Sequence, residues 1–127
     1  MGRPVELREA LEPLLKLDAV EGVVLAGTDG LLIEGISGDH ADLERLAAAG
    51  VFGLDTAAQM TEAGGLGAAR MVTIETAAGL VAVRPLTAGT VLVVSFTETL
   101  GSTHLRFLLD RLATRVRATL PGSDATT

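Results

Sequence analysis

From Pro4 to Leu17, the apolar residues Leu7, Leu11, Leu14, Leu15 and Leu17 recur at helical spacing, and Pro4 suits a first helical turn. Pro13 removes one backbone hydrogen bond inside that stretch, so a kink or a late start is expected there. Val20 to Gly27 and Leu31 to Ile36 read as strands. Between them Thr28-Asp29-Gly30 supplies the positive φ that a tight hairpin needs. After the polar loop Ser37 to Asp42, Asp42 is placed to cap a helix running from Leu43 to about Ala63, which Gly64, Gly65 and Gly67 stop.

Three further strands are predicted at Ala69 to Thr76, Leu80 to Leu86 and Thr90 to Thr97, separated by Ala77-Ala78-Gly79 and Thr87-Ala88-Gly89. The third is apolar at both parities from Val91 to Phe96, so both of its faces must be covered and it belongs at the centre of a sheet. The second carries Arg84 and Pro85, and the first alternates Val72 and Ile74 with Thr73 and Glu75, a pattern that places both nearer an edge. Ser102 or Thr103 is expected to cap a last helix with an apolar stripe of Leu105, Leu108, Leu109, Leu112, Val116 and Leu120, ended by Pro121-Gly122. The order is α-β-β-α-β-β-β-α: an α/β chain of the α+β type, with a five-stranded, mainly antiparallel sheet between helices on both faces. Residues 1–120 form one domain and 121–127 a flexible C-terminal tail.

The central helix is more than a one-sided surface helix. On a wheel its apolar and small residues cover roughly 200°, against the ~100° that packing on one surface requires. Ala47, Val51, Leu54 and Ala58 make one side of that arc and read as sheet-facing. Leu46, Ala49, Gly50, Gly53, Ala57 and Met60 make the other, where small side chains let a sister helix approach. Gly50 and Gly53 each cost about 0.5 to 1 kcal/mol against alanine in a helix, so a packing reason is expected, with local kinking as the plain alternative. On the polar side Phe52 falls among Arg45, Asp55 and Gln59. An aromatic there is either an anchor for a partner protein, as aromatics ringed by polar groups are, or it is covered by a loop or a dimer seam.

Charge and composition narrow the possibilities. Ten Lys and Arg against 16 Asp and Glu give a formal charge of −6 over 127 residues, which argues against nucleic-acid and anionic-membrane partners. Without cysteine there is no disulfide framework, thiolate nucleophile or cysteine-ligated metal. Glu6, Arg8, Glu9, Glu12, Lys16 and Asp18 interrupt any apolar signal core, and a cytoplasmic location is expected. The longest charge-free stretch, Pro85 to Thr97, falls short of the roughly 18 to 20 residues of a spanning helix.

Candidate chemistry is thin. Ser37-Gly38-Asp39-His40 sets a serine, an aspartate and a histidine side by side, whereas a triad converges from separate elements, so a polar loop is the better reading. His40 and His104 are the only histidines and lack carboxylates at ligand spacing, so no metal is expected. Gly64-Gly65-Leu66-Gly67 follows a helix and precedes a strand, the reverse of a dinucleotide-binding loop. Arg106, Arg111, Arg115 and Arg117 make the last helix basic, and Arg106 stands at pairing distance from Asp110 at i+4; a solvated face explains them more simply than a docking patch for an acidic partner. No catalytic residue and no cofactor is expected.

The element order, the strand-turn-strand run from Val23 to Ile33 (VVLAGTDGLLI) and the closing Phe96-Thr97-Glu98 before a leucine-rich helix resemble the roadblock/dynein-light-chain family and its bacterial MglB-like branch. The likeness covers about residues 5–120. It implies two helices on one sheet face and the long central helix on the other. It also implies dimers with paired central helices and a continuous sheet, which adds Val72 and Ile74 to the interface of Leu46, Ala49, Gly50, Gly53, Ala57 and Met60. The implied function is that of a non-catalytic homodimeric adaptor for a small Ras-like GTPase, docked through Arg45, Phe52, Asp55 and Gln59. No arginine finger is implied. A dimeric scaffold for other proteins is one alternative; a small-molecule sensor is another, disfavoured by a nearly all-aliphatic predicted interior.

Overall fold

The computed structural model describes residues 4–17, 19–38 and 41–120. Helix α1 spans Pro4–Leu11 and passes directly into a 3₁₀ turn, Glu12–Lys16, with Pro13 inside the turn. The proline falls in the first turn of that segment, where its missing N–H costs no helical hydrogen bond. Strands β1 (Val20–Gly27) and β2 (Leu32–Ser37) form the expected hairpin. At its tip Gly30 adopts φ +88°, and the Leu31 amide donates to Asp29 Oδ1 at 3.0 Å. Helix α2 (Leu43–Ala63), strands β3 (Val72–Thr76), β4 (Gly79–Thr87) and β5 (Thr90–Phe96), and helix α3 (Ser102–Arg117) complete the chain.

The five strands lie in the order β2-β1-β5-β4-β3, all neighbours antiparallel. The doubly apolar β5 is central, as its pattern requires. Its residues alternate between two cores. Leu92, Val94 and Phe96 join Val23, Leu25 and the leucines of α1 and α3 on one face; Val91 and Val93 join Val24, Ala26 and Val83 beneath α2 on the other. Two helices thus cover one face and the long helix covers the other.

One expectation holds and two need correction. β4 lies between the central β5 and the edge strand β3, so both are nearer an edge than β5. β4 tolerates Pro85 because β3 pairs only with Gly79 to Val83, so the missing N–H faces no strand. β3 starts at Val72 and not at Ala69; continuing its register would set Arg70 opposite that proline. α3 takes Gly101 as its N-cap, without a side-chain cap from Ser102 or Thr103. It ends at Arg117, and Leu120 follows in a turn, half-buried against the core. The expected stop at Pro121-Gly122 and the tail lie outside the described residues.

Candidate interaction surface

Helix α2 forms where the sequence places it because both ends are specified. Asp42 Oδ1 accepts from the Arg45 amide at 3.1 Å, and at the far end Gly64 caps the helix while Gly65 and Gly67 adopt positive φ. Leu43 packs over Gly35 of β2, Gly50 lies on Val93 of central β5, and Ala57 reaches the neighbourhood of β4, so the helix crosses the sheet. Its inner side is Ala47, Gly50, Val51 and Leu54.

Gly50 is a correction to the sister-helix assignment. A Cβ there would stand 2.7 Å from Val93 Cγ2, so the close approach it permits is to the protomer's own sheet. Leu46 likewise packs, half-buried, against the core under α2. Gly53 has open space around it, with nothing within 4 Å of a Cβ built there. Ala49 is exposed on the same flank, Met60 is 70% exposed and Ala57 is half-buried. On the neighbouring edge strand, Val72 is half-buried against the α2-side core; Ile74, of the same parity, is 53% exposed on the same face of the sheet.

The outer side of α2 carries Arg45, Phe52, Asp55 and Gln59, all exposed. Phe52 is 73% exposed, so no loop among the described residues covers it. Its carbonyl accepts from Thr56 Oγ1 at 2.9 Å, a bond along the helix that leaves the ring free.

Elsewhere the sequence-level candidates are dispersed. Ser37 ends β2; Asp39 and His40 lie outside the described residues. His104 is exposed on the first turn of α3. Among the described residues no group of three His, Cys, Asp or Glu side chains could hold a metal ion, and no helix is long and apolar enough to cross a membrane. The glycine cluster is the helix stop and turn it was read as. The Arg106–Asp110 pair is replaced: Arg84 Nη1 approaches Asp110 Oδ1 at 2.8 Å from β4. Arg111 lies over the Phe107 ring, 5.7 Å from its centre, and Arg117 Nε donates to Leu86 O at 3.2 Å. The strand-to-helix link through Arg84 left no local sequence signal, since its partners stand 26 positions apart.

A family model, the Roadblock/LC7 domain, matches residues 6–96. Among solved structures, a Roadblock/LC7 domain from Streptomyces avermitilis superposes with a TM-score of 0.75 at 21% identity, covering 87% of this chain and 93% of that one. Myxococcus xanthus MglB superposes with a TM-score of 0.74 at 17% identity, over 87% of this chain and 91% of its own. An MglB with a tetrameric arrangement reaches 0.78 at 17% identity, over 94% and 92%. These identities establish a shared fold. The search of curated proteins finds no match.

Proposed function

Because the chain belongs to the Roadblock/LC7 domain family, we propose that it is a non-catalytic homodimeric adaptor that binds a small Ras-like GTPase through the outer side of α2. The observation that carries the reading is Phe52, a large ring held out to solvent among Arg45, Asp55 and Gln59 on a helix whose inner side is already satisfied by the sheet. An exposed aromatic with polar surroundings has the makeup of an interface anchor.

The dimer is assigned to the flank of Ala49, Gly53, Ala57 and Met60 together with β3, whose Val72 and Ile74 lie on the same sheet face. Gly50 and Leu46 support this seam only from beneath. The open space at Gly53 admits a second backbone, the unpaired outer edge of β3 offers a ladder to its symmetry mate, and a tetrameric MglB of the same fold supports self-association.

The test is a pull-down from source-cell lysate on immobilised protein, run separately with GDP and with a non-hydrolysable GTP analogue. A small GTPase retained in one nucleotide state and lost with Phe52→Asp supports the reading; its absence in both states sinks it. Gly53→Leu should convert dimers to monomers or aggregates in light scattering, and an unchanged dimer mass removes the seam.

A further inference from the structure

β3 begins at Val72, opposite Val83, so Arg84 to Thr87 of β4 run on with no strand beside them on that side. This short edge is closed to strand addition. Pro85 has no N–H, its carbonyl accepts from Arg84 Nε at 3.5 Å, and the Leu86 carbonyl accepts from Arg117 Nε. What remains is a notch of about 780 Å³, bounded by the end of α2, the loop 66–71 and α3.

Its charges do not balance. Arg70, Arg84 and Arg106 line it against one carboxylate, Asp110. Arg84 engages that carboxylate at 2.8 Å, whereas Arg106, four positions before it on the same helix, makes no ion pair with it. Arg70 and Arg106 make no hydrogen bond or ion pair with other described residues. Three guanidiniums minus one carboxylate leave two positive charges in one concavity of a chain whose net charge is −6. Guanidiniums do not deprotonate to relieve such crowding, and an anion seated in the notch would offset it.

We propose that this notch binds a small organic phosphate. A phosphate monoester is dianionic, which matches the excess, and its oxygens suit the two-pronged donor geometry of arginine. Leu66, Ala68, Ala69 and Met71 give the rest of the wall an apolar surface for the organic part. No aromatic ring lines it among the described residues, and a compact aliphatic or sugar body suits that wall. The loop is held in shape for the purpose: Thr61 Oγ1 donates to Gly67 O at 2.7 Å, and Met71 packs against the main core. This site does not depend on GTPase docking, since it uses neither Phe52 nor the outer side of α2, although Ala57 of its wall also lies on the proposed dimer seam.

The test is calorimetric titration of the full chain at low salt with ribose 5-phosphate and inorganic phosphate, beside citrate and a hexaglutamate peptide. The expected result is saturable binding of ribose 5-phosphate, weakened about tenfold or more by Arg70→Gln and by Arg106→Gln and unchanged by Arg111→Gln outside the notch. Both weakening variants change exposed side chains, and circular dichroism confirms that they fold. Amide shifts confined to residues 68–71 and 106–110 would locate the site. Absence of saturable binding by either phosphate in the millimolar range overturns the proposal, as does binding that survives the Arg70→Gln/Arg106→Gln double variant. Tighter binding of citrate makes the site one for carboxylates; tighter binding of the peptide makes the notch a contact for an acidic protein segment.

Discussion

The helices α2 and α3 lie on opposite faces of one sheet and use their apolar residues in opposite ways. α3 turns Leu105, Leu108, Leu109, Leu112, Ala113 and Val116 inward and leaves mainly charge outside, with Phe107 under the Arg111 guanidinium. α2 buries Ala47, Gly50, Val51 and Leu54, while its larger Phe52 and Met60 stand in solvent. Among the described residues the core under α1 and α3 holds 20 buried side chains and the core under α2 holds eight, so most of the apolar burial that stabilises the fold is on the first face. A helix that spends little of its apolar surface on its own sheet has the rest free for another molecule.

This contrast can be broken by substitution. Leu112→Ala removes a fully buried side chain from the larger core and should cost about 2 to 5 kcal/mol in chemical denaturation. A smaller loss than that of the α2 variants would show that the division of labour is wrong. Gly50→Ala should cost about 1 to 3 kcal/mol despite the better helix propensity of alanine, because the new methyl meets Val93, whose branched side chain is fully buried in the central strand and cannot swing away. Gly53→Ala, three positions on, should instead gain about 0.5 to 1 kcal/mol when measured on protein diluted to the monomer, since nothing in the protomer obstructs it. Equal signs for the two glycines would erase the distinction between the inner side and the flank of α2. Phe52→Asp should change folding stability by no more than about 0.5 kcal/mol, measured by thermal unfolding; a larger loss would make the ring structural.

Much of this was readable before the structure, for identifiable reasons. Apolar residues at both parities placed β5 in the centre, and Asp42 with the glycines after Ala63 set the bounds of α2. The ring of Phe52 was out of place by type alone. What escaped was direction among small residues: Gly50 sits in the middle of the apolar arc, where its two sides meet, and a residue without a side chain carries no hydrophobic signal to say which neighbour it serves. The Arg84–Asp110 contact escaped because the i+4 rule sees only one helix, whereas Asp110 also faces a strand. The short start of β3 escaped because Ala69 to Met71 read as strand until the register sets Arg70 against Pro85.

The position of β5 also bears on how the chain acquires its shape. During synthesis β1 and β2 can pair as a hairpin, and β3 and β4 as another, but no strand joins the two ribbons until Thr90 to Phe96 has been made. Until then both ribbons present an open, largely apolar border, the kind of surface that nascent chains use to aggregate. Closing the sheet pairs Val20 with Phe96 across most of the chain, which makes the join slow relative to either hairpin. The last strand is the keystone, and a chain released before it is complete would be two ribbons without a protein.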